Sequence, residues 1–266
     1  MLNWTLYKRE MKGNLKLLII LGAVMTLYVT IIVSMFDPEL MATLDGFVEA
    51  MPEIMAMVGM NAGATTLLGF MTSYLYGFIM LVFPMIYCIL RGNGLIARYV
   101  DKGSMVSLLA APAKRRDVAF TQMKVLASGV FILVVYATAL ELICAGMSFP
   151  GELEAGKLLL LNVGLLCLHL FIGGVCYLAS CVFSDTKYSI GFGAGIPALM
   201  FVLQMLGNAG GNAEKAKYFT FFTLFDPDAL AAGESSAIAG VVVLFAGAIV
   251  LFTAGIAVFS KKDLHI

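Results

Sequence analysis

Residues 17–36 read LLIILGAVMTLYVTIIVSMF, twenty consecutive residues without a charged side chain. A helix needs about 20 apolar residues to cross the hydrocarbon core of a bilayer, so this stretch is long enough to span it. Further apolar blocks of similar length follow at Leu67–Leu90, Val125–Met147, Leu158–Phe183, Tyr188–Leu206 and Ile238–Phe259. The sequence therefore predicts an all-α integral membrane protein with six transmembrane helices.

The composition agrees with this pattern. Of the 266 residues, 61% are hydrophobic and only 13% are charged, whereas soluble domains are about half apolar with about a quarter of their residues charged. No domain boundary is visible between the apolar blocks. We therefore expect a single transmembrane domain that covers residues 1–266.

Basic residues are distributed unevenly along the chain. If both termini are cytoplasmic, 14 of the 17 Lys and Arg residues face the cytoplasm, and only Lys157, Lys215 and Lys217 lie outside. Such an excess of Lys and Arg on one side sets the orientation of membrane proteins. We therefore predict that both termini are cytoplasmic. The protein is expected in a cell membrane, the bacterial plasma membrane.

The flanks and loops also have recognisable patterns. In residues 1–16, Trp4, Tyr7, Met11 and Leu15 share one helical face opposite the basic residues, which is typical of a helix lying in the membrane interface; an ordinary basic flank is the alternative. The expected segments are the interfacial helix 1–16, spans 1 and 2 within 17–90 with an outer loop at 37–66, a cytoplasmic coupling segment at 91–124, spans 3 to 5 within 125–206, an aromatic outer loop at 207–237 that is re-entrant, interfacial or a simple aromatic belt, and span 6 with its tail at 238–266.

Catalytic and nucleotide-binding motifs are missing or incomplete. Residues 151–158, GELEAGKL, approach a phosphate-binding loop, but Leu158 stands where a Ser or Thr must reach the metal ion. His169 and His265 are isolated, and the five cysteines lack the spacing of a disulfide framework or metal site. We expect no enzyme activity, no cofactor held by this chain and no nucleic-acid partner.

Glu141 is an ionisable residue well inside the third predicted span. A charged group at this depth is costly unless it faces a cavity or finds a partner. Thr138 lies one turn earlier on the same face. Three alternatives stay open: the pair forms a polar stripe on a substrate path, Glu141 simply reaches the outer membrane interface, or Glu141 is a buried structural partner.

Residues 92–124, GNGLIARYVDKGSMVSLLAAPAKRRDVAFTQMK, contain the most charged insert between two spans. They resemble the cytoplasmic signature of ABC type-two permeases, the membrane subunits of a class of ATP-driven exporters. The matching parts are the short helix IARYVD, the step Gly103–Ser104, the segment LLAAPAKR from Leu108 to Arg115, and Lys124. Asp101 stands where many relatives have Glu, which keeps the charge.

The stretch LIARYVDKG has the pattern of a coupling helix that seats in a partner's cleft. Gly103 would end this helix, and Pro112 would break the chain before the third span starts near Arg115–Asp117. The expected coupling residues are an apolar face of Leu95, Ile96, Tyr99 and Val100, a charged rim of Arg98, Asp101 and Lys102, and the terminating Gly103.

The resemblance implies two six-span halves around a central path, each docked on a cytoplasmic ABC ATPase that holds ATP and Mg²⁺. A second permease subunit, more readily an identical copy than a paralogue, and membrane lipid are the other expected partners. An amphipathic or hydrophobic cargo such as a peptide, toxin or drug fits the apolar spans. The alternative is a secondary transporter of a small hydrophobic solute, although we find no internal repeat of the kind such transporters contain.

Overall fold

The computed structural model of the protein describes residues 2–110 and 114–263, and all regular structure within these ranges is helical. In chain order the α-helices are α1 (Trp4–Ser34), α2 (Pro38–Ala50), α3 (Pro52–Met57), α4 (Leu67–Met71), α5 (Ile79–Gly92), α6 (Ala97–Asp101), α7 (Met105–Ala110), α8 (Arg115–Ser148), α9 (Ala155–Val182), α10 (Thr186–Asn208), α11 (Pro227–Ala232) and α12 (Ser235–Lys261). The predicted all-α fold is confirmed.

Six helical stretches are long and apolar enough to cross a membrane, which confirms the predicted number of spans. They are α1, the stretch Ile79–Asp101 that contains α5 and α6, and then α8, α9, α10 and α12. With 31 and 34 residues, α1 and α8 are about 46 Å and 51 Å long. Both therefore extend well beyond the ~30 Å hydrocarbon core.

The first span differs from the prediction. Residues 4–34 form one continuous helix, with no break near residue 16 that would let an interfacial helix turn into the membrane plane. Asn3 caps its start by accepting a hydrogen bond from the Leu6 N–H. The N-terminal turns also face protein, because Tyr7 donates to Ser128 of α8 at 2.9 Å. The segment 1–16 is thus a continuation of span 1 held against α8.

The second apolar block, Leu67–Leu90, is predicted to form one span but is interrupted in its first half. After α4 the chain forms a π-helical turn at Thr72–Tyr76, and α5 begins only at Ile79. At the break, a Cβ on Gly77 would lie 2.6 Å from the Val58 carbonyl oxygen, so only glycine permits this close backbone approach. The loop after α3 therefore packs directly onto the interruption.

Helix α9 forms the centre of the bundle. Of its most apolar stretch, 61% is buried, against 22% for the corresponding stretch of α10 and 28% for that of α12. It contacts α5, α8, α10 and α12, while α1 packs along α8. A long hydrophobic core runs through these contacts. Because α9 touches four other spans, a displacement of α9 affects most of the domain.

The loop 207–237, which the sequence predicts on the outer side, folds back onto the bundle. It contains two 3₁₀ helices, Gly211–Phe219 and Phe221–Leu224, before α11. Phe222 is fully buried, with its ring centroid 5.4 Å from that of Phe201 in α10. By contrast, Tyr218 and Phe219 are exposed. The aromatic segment is therefore divided into a part that packs on α10 and a part that faces outward.

Candidate functional site

The predicted coupling segment forms a short helix that lies against the end of the bundle. Helix α5 ends at Gly92, and α6 begins at Ala97. Gly103 has a φ of +67°, the left-handed conformation that commonly follows the end of a helix. Helix α8 begins at Arg115, where the sequence places it. Pro112, the expected break in between, lies outside the described residues.

The apolar side of this segment faces its own domain. Leu95 and Ile96 are each only 1% exposed, and Tyr99 and Val100 pack partly buried against the same core. Leu95 and Ile96 are therefore covered by the membrane domain itself, whereas Tyr99 and Val100 are partly exposed. Contact of this face with a partner's cleft stays a prediction for Tyr99 and Val100. The side chains left exposed are the charged ones, Arg98, Asp101 and Lys102, together with Gly103.

Ser180, near the end of α9, supports the start of α6. Its Oγ accepts hydrogen bonds from the Ile96 and Ala97 N–H groups at 3.1 and 3.0 Å, and its hydroxyl donates to the Asn93 carbonyl at 3.2 Å. The first N–H groups of a helix have no partner within the helix, so an outside acceptor is needed when they are buried. Ser189 of α10 donates to Asn93 Oδ1 at 3.3 Å and extends this network.

Glu10 of α1 joins the other side of the coupling segment. Its side chain is buried, and its carboxylate accepts hydrogen bonds from both Arg91 and Tyr99. Arg91 also donates to the Glu10 carbonyl oxygen at 3.2 Å. The sequence prediction missed Glu10. The available signal was a single carboxylate within the basic stretch YKREMK. The sequence pattern does not identify its partners Arg91 and Tyr99, because they lie 81 and 89 residues further along the chain.

Asp101 attaches the end of α6 to the next span. Thr186, the first residue of α10, donates its hydroxyl proton to Asp101 Oδ2 at 2.8 Å. The adjacent Asp185 caps α10 by accepting from the Lys187 N–H. The coupling segment is thus bonded to α1 through Tyr99, to α9 through Ile96 and Ala97, and to α10 through Asp101.

The C-terminal flank closes the same end of the bundle. Lys262 donates to the Val182 and Cys181 carbonyls at 2.8 and 3.3 Å, and Arg115 donates to the Lys262 carbonyl at 2.7 Å. Partial burial lowers the pKa of Lys262 from its ordinary value. A cation at the last carbonyls of a helix is favourable. His265 lies outside the described residues.

Glu141 is fully buried between helices, which corresponds to the third of the sequence-based alternatives, a buried structural partner. Tyr76 donates to its carboxylate, 3.0 and 2.8 Å from the two oxygens, and the Asn162 amide donates to Oε2 at 2.9 Å. Thr138 does not join this cluster, because its hydroxyl donates back to the Val134 carbonyl at 2.8 Å. The predicted polar stripe of Thr138 and Glu141 is therefore not formed.

Tyr76 also lines a polar cavity of about 260 Å³ in the half of the bundle that holds the predicted outer loops. Its lining includes the polar side chains of Asn61, Gln204, Asp226 and Asp228. Asn61 donates to Asp228 Oδ2 at 3.1 Å, which joins the loop after α3 to α11. Glu141 is thus separated from this cavity by a single phenol side chain.

His169 and the residues around Lys157 have ordinary structural surroundings. Both ring nitrogens of His169 lie within hydrogen-bond distance of carbonyl oxygens, 2.8 Å from Leu165 O and 3.0 Å from Leu81 O. Lys157 forms an ion pair with Glu154, with 2.9 Å between Nζ and Oε2. Glu154 lies just before α9, and Lys157 lies in the first turn of that helix. The phosphate-binding-loop interpretation of residues 151–158 has no support in this geometry.

The chain matches a known protein family over nearly all of its length. Residues 4–264 match the model of the family described as "ABC-2 family transporter protein". This chain belongs to the ABC-2 transporter family. Comparison with curated proteins gives no match. As an ABC-2 family member it is the multi-pass permease component of an ABC transporter, a class that works with an ABC ATPase and generally has no ATPase site of its own.

Proposed function

We propose that the protein is the permease subunit of an ATP-driven exporter, and that its ATPase docks on the exposed edge of Arg98, Asp101, Lys102 and Gly103. The observation that carries this proposal is the contrast within residues 95–103. The apolar side is fixed to the domain, and the exposed side presents both signs of charge. Rim charges of this kind steer association and set the register of a complex.

Force applied to this edge would reach three spans directly. The hydrogen bonds of Ser180 connect the segment to α9, the Tyr99–Glu10 bond connects it to α1, and the Thr186–Asp101 bond connects it to α10. ATP and Mg²⁺ would be held by the ATPase. The permease would contribute a rigid contact surface, so that movement of the ATPase displaces the spans together.

A second permease subunit is part of the proposal, and we favour an identical copy. Helix α10 is the least buried span, with Tyr188, Phe192 and Leu199 all more than half exposed. Nothing lies within 4 Å of the Cβ positions of Gly191 and Gly195, whose spacing allows close helix approach. This face is therefore available to another helix.

We further propose that the cargo is amphipathic or hydrophobic, such as a peptide, a toxin or a drug. Support comes from the exposed apolar side chains of the spans and from the cavity beside Tyr76. The cavity would receive the polar part of a cargo that leaves the path on the outer side. The direction of transport follows the exporter family that the segment 92–124 resembles.

The test is reconstitution in vesicles with and without the cognate ATPase. We expect ATP hydrolysis and cargo movement only when both are present, and at least tenfold weaker ATPase binding after Arg98→Glu with Lys102→Glu. Lys16→Glu is the control, since Lys16 is an exposed basic residue of α1 that is not part of this edge. Cargo movement by the permease alone, driven by an ion gradient, would instead favour a secondary transporter.

A further inference from the structure

We infer that a groove between α1 and α8 binds one anionic phospholipid of the leaflet at the N-terminal end of α1. The groove has a volume of about 870 Å³ and is lined mainly by apolar side chains, including Leu15, Ile19 and Ala23 of α1 and Ile132 of α8. Lys12 lines one end. A basic group at the mouth of an apolar groove matches a phosphate headgroup with an attached acyl chain.

The dimensions fit one chain of a lipid. From Lys12 to Thr26, both of which line the groove, α1 rises about 21 Å. One leaflet contributes about half of the ~30 Å hydrocarbon core. The far end is closed by a hydrogen bond of 2.7 Å between the Thr26 and Tyr136 hydroxyls. An acyl chain entering beside Lys12 would therefore end near the bilayer midplane.

The charge at the mouth favours an acidic lipid. Lys8 lies one helical turn before Lys12 on the same face, and both side chains are exposed. Lys8 sits over the Trp4 ring, with its Nζ 5.4 Å from the ring centroid. Among the described residues, no carboxylate pairs with either lysine. The two ammonium groups are thus free to contact a phosphate.

A second copy of the chain is a less suitable occupant. A two-fold axis along the membrane normal would place identical residues of the two copies at equal depth. If the α1 helices met along this groove, Lys8 and Lys12 of one copy would face the same lysines of the other. Like charges placed together at an interface are unfavourable. A lipid phosphate instead neutralises them.

Native mass spectrometry of the detergent-solubilised protein tests the inference, with equal amounts of phosphatidylglycerol and phosphatidylcholine added. A lysine near an anionic surface contributes about fivefold to binding. We therefore expect roughly 25-fold preferential retention of one phosphatidylglycerol molecule, lost in Lys8→Gln with Lys12→Gln. Lys187→Gln, at an exposed position on α10, should retain the preference. Equal retention of the two lipids, or the same loss in the Lys187 variant, overturns the inference.

Two variants in the groove itself locate the site. Ala23→Trp should fill the groove and remove the retained lipid while leaving the thermal unfolding temperature within a few degrees. Retention of the lipid by this variant overturns the assignment to the groove. In a background without the native cysteines, Ala23→Cys should not form a disulfide with another copy under oxidation. Such a disulfide would assign the groove to a second subunit and overturn the lipid site.

Discussion

Tyr99, in the coupling segment, donates a hydrogen bond to Glu10, a residue near the start of the first span. The same carboxylate accepts from Arg91 at the end of α5. Three parts of the chain therefore share one buried carboxylate. Hydrogen bonds to charged groups contribute about 1.5–3 kcal/mol each, so the junction is an energetically significant attachment point.

We expect Tyr99→Phe to weaken the coupling between ATP hydrolysis and transport. The ring and its packing are kept, and only the bond to Glu10 is lost. ATPase docking should be nearly normal, while cargo transported per ATP hydrolysed should fall several-fold in vesicles. Tyr218→Phe is the matched control, because Tyr218 is 87% exposed. Equal losses in both variants, or none in either, contradict the role of this bond.

Ser180→Ala should weaken the attachment of the start of α6 to α9. Two backbone N–H groups would lose their buried acceptor, at a cost of about 1–3 kcal/mol. We expect faster hydrogen exchange at Ile96 and Ala97 and a weaker response of transport to ATP. Ser148→Ala, at the exposed end of α8, provides the comparison. Unchanged exchange at α6 in the Ser180 variant would show that the segment is held by its apolar contacts alone.

The main effect of Glu141→Gln should be a lower stability of the folded protein and not a changed cargo choice. The carboxylate accepts from Tyr76 and Asn162, and Gln would turn an N–H₂ group toward one of these donors. We expect a loss of about 1–3 kcal/mol, measured by thermal unfolding. Tyr76→Phe should show the same defect, and the double variant should be less destabilised than the sum of the two.

Glu152→Gln, at an exposed position before α9, is the control for Glu141. A normal unfolding temperature in Glu141→Gln together with a changed cargo preference would contradict the structural role. That outcome would restore the sequence-based hypothesis that Glu141 lies on the transport path.

Topology can be tested with single cysteines introduced into a background without native cysteines. Positions Glu49, Glu154 and Glu234 should react with impermeant reagent from outside, and Lys102 and Lys187 only after permeabilisation. The native side chains at all five positions are exposed. Leu230, which shares the loop 207–237 with Glu234, is fully buried and therefore unsuitable for labelling. Reaction of Lys102 from outside would reverse the orientation and exclude a cytoplasmic ATPase contact there.

Hydropathy was sufficient to predict the six spans, because long apolar blocks have few alternatives. It could not show that Leu95 and Ile96 face inward. An amphipathic pattern identifies an apolar face but does not say whether the chain itself or a partner covers it. The start of α8 at Arg115 lies within the range Arg115–Asp117 expected from the sequence, since Pro112 cannot continue a helix.

The buried polar contacts were beyond sequence reasoning for a different reason. Glu10 meets Arg91 and Tyr99 only after α1 and α5 have packed together. The depth of Glu141 marked it as unusual, but its partners Tyr76 and Asn162 lie on other helices. Periodicity within one helix, which suggested Thr138, does not identify neighbours across helices.

The unbroken course of α1 from Trp4 to Ser34 has a mechanical consequence. A rod about 46 Å long that tilts by about 5° at one end moves its other end by about 4 Å. Glu10 stands near one end and the buried Val33 near the other. A small rotation at the Glu10 end, beside the segment on which we propose that the ATPase acts, would thus be carried along the helix to its Val33 end.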